Sequence, residues 1–372
     1  MIPLFEQYPL LHEKLPYVSL GEFPTPVQKL ERLGGELGVG GLYVKRDDLS
    51  GKLYGGNKPR KLEFVLADAL RSGAKEVITF GGAGSNHALA TAIYARQVGL
   101  HSISMLRPQP NARYVRRNLL MGHRCGAELH LCGAGVESRR NMPLVRLATT
   151  YQRLRHRLGK GSFPYVIPGG GSSPLGATGF VNAALELRKQ IASGEMPGPD
   201  YIYVASGSMG TAAGLNLGLR VGQLGSRLIA VAVHNERRTN ARVMARLSNR
   251  TDFLLRSLDA SFPEFAFSET DVEVRHDCAG ERYALFTDEG MEAICRMREC
   301  EGIRLDGTYT GKALAALRRD AQSGSLRDRT VLFWNTFNSR DFLGEISGLD
   351  YHDLPRSFHR YFEQEVQPLD RD

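Results

Sequence analysis

The chain has 372 residues, 42% apolar and 24% charged, a composition that excludes wholesale disorder and leaves length for two domains or one large α/β unit. Lys and Arg total 48 against 40 Asp and Glu, a net +8 spread along the chain. That favours anionic small molecules over nucleic acid as partners. The five cysteines form no CxxC pair, and no HxxxH or HExxH occurs. A disulfide framework and a zinc site are therefore not expected, and no metal is assigned. The N-terminus carries Glu6 and Glu13 and lacks a basic start before an apolar run, so it does not read as a signal peptide. The uncharged stretches 77–95 and 201–219 are broken by Gly/Ser clusters and do not read as membrane spans. A reduced, cytoplasmic location without a membrane partner is the expectation.

Short β-branched runs predict strands at 41–47, 76–80, 102–106, 127–131, 165–168, 201–205, 228–233 and 330–334. Amphipathic stretches predict helices at 60–72, 87–98, 111–121, 144–158, 177–192 and 211–221. This alternation points to mostly parallel sheets with helices on both faces, and to a ligand at the carboxyl ends of the strands. Segments 169–174 and 193–200 are the best linker candidates, and the chain from about Pro355 onward reads as a peripheral helix.

Three glycine-rich turns each precede a predicted helix, where free N–H groups make an anion site. In YGGNKPRKLE (54–63), Asn57 can cap and Pro59 suits the first helical position, which holds Lys58 at a helix mouth with Lys61 one turn on. Desolvation there would lower the lysine pKa enough for nucleophilic work; a plain surface lysine is the alternative. In FGGAGSNHALA (80–90), Ser85 and Asn86 fit either a carboxylate site or simple N-capping. In ASGSMGTAAG (205–214), Ser206, Gly207, Ser208, Met209, Gly210 and Thr211 offer consecutive amides and hydroxyls directly after a strand. That pattern suits a phosphate as well as it suits an ordinary tight turn.

Together FPTPVQKLERL (23–33), YVKRDDLSG (43–51), GGNKPRKLEF (55–64), GGAGSNH (81–87), SGSMGTAAG (206–214) and DGTYTGKALAAL (306–317) resemble one family in order over nearly the whole chain. It is the 1-aminocyclopropane-1-carboxylate deaminase and D-cysteine desulfhydrase family of pyridoxal-phosphate enzymes. The resemblance implies an α/β, two-domain fold type II architecture of the tryptophan synthase β-chain kind, with helices on both faces of its sheets. It implies a larger cofactor-binding domain from 1–60 and 176–372, and a smaller one from 61–175. It implies pyridoxal 5'-phosphate as cofactor, bound through Lys58 as the imine lysine, Asn86 at the 3'-oxygen, the 206–211 turn at the phosphate, and Thr310 at the ring nitrogen. Ser85 and Asn86 are implied as substrate contacts, with Tyr283 and Tyr309 as the two tyrosines that flank substrate; His87 beside them either orients a substrate group or is simply a helix-start residue, the default reading. A homodimer is the family precedent.

Where the deaminase pattern carries an acid after the second tyrosine, this chain has Thr310. A hydroxyl there stabilises ring charge less than a carboxylate does, so β-elimination ranks above cyclopropane opening. The expected activity is a lyase or deaminase on a small amino acid, releasing a 2-oxo acid and ammonia. Ring opening, β-replacement and racemisation use the same cofactor bond and stay open. So does a non-catalytic ligand-binding protein of the same fold. FWNTFNSRDF (333–342) stands where the family has a glycine pair, so the substrate pocket is expected to differ in shape.

Overall fold

The computed structural model describes residues 1–133 and 142–370. Ten strands occur among them: β1 (Val27–Lys29), β2 (Gly41–Lys45), β3 (Glu76–Gly82), β4 (His101–Arg107), β5 (Glu128–Leu131), β6 (Tyr165–Ile167), β7 (Tyr201–Ser206), β8 (Arg227–Ala232), β9 (Glu273–Arg275) and β10 (Thr330–Trp334). The chain gathers into two compact units, Met1–Phe64 with Ser172–Ser339, and Val65–Gly171 with Arg340–Asp372.

The first unit holds a six-stranded sheet in the order β1-β2-β10-β7-β8-β9. Only the β1–β2 pair is antiparallel. Its central strands read as unbroken apolar runs because both faces are covered. Val331 and Phe333 face one cluster with Tyr203, Val231, Leu314 and Leu317. Leu332 and Trp334 face the other, with Ile202, Val204, Phe180 and Leu215. Side chains alternate across a pleated strand, so one strand serves two cores. On the second face the helices Pro174–Ala192 and Gly210–Val221 meet at backbone distance: a Cβ on Gly214 would sit 2.2 Å from the Ala177 carbonyl oxygen.

The second unit holds the parallel sheet β5-β4-β3-β6, packed around Ile78, Ile103 and Met105. The terminal segment joins this unit, whereas the sequence had placed it with the larger domain. Its buried Tyr361 accepts a hydrogen bond from Gln109 N at 3.1 Å, and Asn111 Nδ2 donates to the Tyr361 carbonyl. The helix expected from Pro355 is reduced to the single turn Arg360–Glu363.

The eight expected strands and six expected helices are present, with ends shifted by a few residues. Three further long helices, Ala241–Leu258, Asp288–Glu301 and Thr310–Gln322, complete the first unit. Among the described residues no helix is long and apolar enough to cross a membrane.

Candidate active site

Lys58 opens the helix Lys58–Arg71 after a turn that only glycine permits. A Cβ on Gly55 would lie 2.2 Å from the Asp48 carbonyl oxygen, and Gly56 has φ +80. The turn is laced to the segment after β10: Gly55 N donates to Asn338 Oδ1 at 2.7 Å and Asn57 N to the Thr336 carbonyl at 3.2 Å. Asn338, from the stretch that departs from the family pattern, thus braces the turn that precedes Lys58. Asn57, expected as a cap, spends its side chain on two other partners. Its Oδ1 accepts from Lys58 Nζ at 2.5 Å, and its Nδ2 donates to Thr211 Oγ1 at 2.9 Å. Burial pulls the Lys58 amine down to a pKa of about 8, against the field of Asp306, which pushes it up.

Two residues on, the helix start is anchored by ions out of water. Arg60 donates to both oxygens of Asp47 (2.7 and 2.9 Å) and both of Glu186 (2.9 Å each). Lys45 Nζ meets Glu186 Oε1 at 2.6 Å, and Trp334 Nε1 donates to Asp47 Oδ2 at 2.8 Å. These four ionic side chains are at most 3% exposed. The two cations offset the two carboxylates, which is the condition for keeping charges buried. Glu186 is held down to about 2: Arg60 and Lys45 overcome the burial that would raise it.

Beyond β7 the chain turns through Ser206–Met209 into the helix Gly210–Val221. Met209 has φ +65 and offers no side-chain cap. Gly210 N donates to Ser172 Oγ at 3.1 Å, and Ser172 Oγ meets Ser208 Oγ at 2.7 Å. Thr239 Oγ1 donates to the Gly207 carbonyl at 2.6 Å. A Cβ on Gly210 would fall 2.4 Å from Ser172 Oγ and 2.9 Å from Lys61 Nζ, so the turn is a cradle that a side chain would fill. Ser206 Oγ is buried without a hydrogen-bond partner among the described residues. Burial and the neighbouring Lys58 hold the Lys61 amine far below its usual pKa.

Tyr309 ends the loop before the helix Thr310–Gln322, and its hydroxyl lies 2.6 Å from that of Tyr283. A Cβ on Gly207 would touch Tyr309 Cε1 at 3.4 Å, which sets the pair beside the cradle. Thr310 is fully buried. Its Oγ1 donates to Asp306 Oδ1 and accepts from Asp306 N, both at 2.8 Å. Asp306 Oδ1 also accepts from the amides of Tyr309 and Thr310. Asp306 was not singled out from the sequence, although an acid four residues before Thr310, at the start of a helix, was a visible capping signal. Lys45, Asp47 and Glu186 were missed as well; KRDD (45–48) marks the first two, while Glu186 carries no local mark.

The first unit therefore brings together Lys58, the 206–211 cradle, Tyr283, Tyr309 and Thr310. Ser85, Asn86 and His87 belong to the second unit. Ser85 caps the helix Asn86–Gln97 by accepting from Ala88 N at 3.1 Å. Asn86 Oδ1 accepts from Asn118 Nδ2 at 3.0 Å. His87, read as a substrate contact or a helix-start residue, is 3% exposed with Nε2 against Thr79 Oγ1 at 2.9 Å, the setting of a core histidine.

Residues 18–336 match the family described as "Pyridoxal-phosphate dependent enzyme". The chain belongs to that family. It is 38% identical over 316 residues to a D-cysteine desulfhydrase of Salmonella choleraesuis (strain SC-B67), spanning 83% of this chain and 90% of the relative. The desulfhydrase of Salmonella paratyphi C (strain RKS4594) matches at 38% over the same spans. A crystal structure of an ACC deaminase homologue aligns with a TM-score of 0.73 at 34% identity, covering 92% of this chain and 97% of that one. A fungal L-serine ammonia-lyase from Rhizomucor miehei, at 18% identity and a TM-score of 0.57, shares the fold. The family resemblance and fold type expected from the sequence are borne out, and the enzyme is pyridoxal-phosphate dependent.

The residues present fit that cofactor. The Ser206–Thr211 turn leads into a helix N-terminus, Gly210 leaves no room for a side chain there, the Ser206 hydroxyl finds no hydrogen-bond partner among the described residues, and the buried Lys61 amine approaches Gly210 as a further donor.

Proposed function

We propose that this pyridoxal-phosphate enzyme is a lyase that expels a β-leaving group, such as a thiol, from a small amino acid. Water then releases ammonia and leaves a 2-oxo acid. The observation that carries this reading is Lys58. With a pKa of about 8, roughly one amine in ten is uncharged at pH 7, far more than for an ordinary lysine near 10.4. Such an amine is a usable nucleophile toward the cofactor aldehyde and a usable base toward the Cα proton.

When bound, the cofactor supplies an electron sink for charge at Cα. The Ser206–Thr211 turn and Lys61 would hold its phosphate, and Thr310 would face its ring nitrogen. Asn57 steadies the Lys58 amine through its Oδ1 and ties it to the cradle through Thr211. The Tyr283–Tyr309 pair would hold the proton that the leaving group needs. Motif likeness alone brings Ser85, Asn86 and His87 into this reading, as contacts to substrate and the cofactor's 3'-oxygen. A cytoplasmic homodimer completes it; sedimentation would test the dimer.

The experiment compares D-cysteine, β-chloro-D-alanine and 1-aminocyclopropane-1-carboxylate for 2-oxo acid release by wild type and Lys58→Ala. We expect the first two to react, and Lys58→Ala to lose visible absorbance and about 10²–10⁴-fold in kcat. Failure of all three substrates would overturn the lyase reading. Release from the cyclopropane alone would favour ring opening, the reading supported by the 34% identical ACC deaminase homologue.

A further inference from the structure

His234 follows β8 and was not singled out from the sequence. Its ring lies flat on Tyr283, with centroids 4.0 Å apart and planes 11° from parallel. Tyr283 in turn meets Tyr309 edge-on, 6.1 Å and 72°, with the two hydroxyls hydrogen-bonded. The loop that carries Tyr283 is fastened at two further points. Lys312 Nζ donates to the Ala279 carbonyl at 2.5 Å, and Phe286 packs so tightly on Gly307 that a Cβ there would come within 2.7 Å. Ala284, directly after Tyr283, has φ +67, a left-handed conformation that a residue with a Cβ disfavours. A backbone bent against its preference at this position marks a ring whose placement is enforced by its surroundings.

The same His234 loop is tied to the cradle. Thr239 Oγ1 donates to the Gly207 carbonyl, and a Cβ on Gly207 would touch His234 Cδ2 and Tyr309 Cε1 alike at 3.4 Å. Cradle, imidazole and both tyrosines thus form one contiguous stack.

We propose that His234 is a positioning residue: its stacked ring holds the Tyr283–Tyr309 hydroxyl pair in register with the Gly207 turn. The proposal rests on the assignment of these tyrosines to substrate chemistry. Burial, followed by Arg238 and Lys312, depresses His234 to a pKa of about 3, so the ring is neutral at working pH and acts by shape. Tyr283 stays protonated, chiefly because it is buried. One of the paired hydroxyls donates to the other, which leaves a single hydrogen for a third partner. A loose Tyr283 ring would misdirect that hydrogen.

The test compares His234→Ala, which removes the stack, with His234→Phe, which keeps it. We expect His234→Ala to lower kcat for 2-oxo acid release about tenfold or more with KM within about threefold, and His234→Phe to restore kcat to within about twofold. The second readout is the ¹⁹F signal of 3-fluorotyrosine placed at position 283 in cofactor-free protein. It should shift or broaden in the Ala variant and return in the Phe variant. Equal losses in both variants would mean that the ring nitrogens act, and would overturn the proposal. So would wild-type kcat and ¹⁹F signal in His234→Ala. If wild type turns over no amino acid, the lyase reading fails, while the ¹⁹F arm still decides whether His234 orders Tyr283.

Discussion

The turn before Lys58 and the turn before Asn86 look alike in sequence, two glycine-rich approaches to a helix, yet they are braced by different physics. The first rests on ions: Arg60, Lys45, Asp47 and Glu186, all buried, with Gly56 N donating to the Asp47 carbonyl at 2.7 Å. The second rests on neutral groups. Gln109 Oε1 accepts from Gly84 N at 3.0 Å, Asn118 Nδ2 donates to the Gly84 carbonyl at 2.9 Å, and Ser85 caps its own helix. A neutral brace loses one hydrogen bond at a time. An ionic brace loses its balance all at once, because removing one partner strands the others. Lys58 thus sits on the support that a single substitution upsets more.

Three substitutions would break or sharpen this contrast. Glu186→Gln leaves Arg60 and Lys45 with one buried carboxylate, Asp47, to offset two cations, and it should cost about 3–5 kcal/mol in urea denaturation. The same carboxyl predicts a pH signature. Its folded pKa of about 2 lies below its ordinary 4.5, so its contribution is complete above about pH 4.5 and disappears as the pH falls toward 2. Urea midpoints measured from pH 5 to 2 should fall in wild type and flatten in Glu186→Gln. Asn118→Ala, which strips two hydrogen bonds from the neutral turn, should cost about 1–3 kcal/mol relative to wild type, a difference that stays the same as the pH falls. Ser85→Ala, which removes one cap, should cost about 1 kcal/mol. A loss at Asn118 as large as that at Glu186 would erase the distinction.

Much of the fold was legible from local pattern. The eight foreseen strands are short, mostly apolar runs buried on one or both faces, and their apolar content is a direct record of that burial. β1 and β9 escaped because VQK and EVR carry no apolar run of their own, unlike the equally short β6, whose YVI does. The candidate site was legible where chemistry needs contiguous residues: Lys58 and its turn, and the run from Ser206 to Thr211. It was illegible where groups converge from afar. Glu186 reaches Arg60 across 126 positions, and His234 meets Tyr283 from another loop. No local spacing records such meetings. His87 shows the converse: a motif residue in a suggestive position, whose local partner is a core threonine.

The Thr310 hydroxyl carries one hydrogen, and Asp306 takes it. While that carboxylate is ionised, the oxygen is a pure acceptor toward any other neighbour. A nitrogen docking there, as proposed, would have to arrive with its own hydrogen attached. The Asp306–Thr310 contact would then act as a filter on protonation state, admitting an N–H and turning away a bare lone pair.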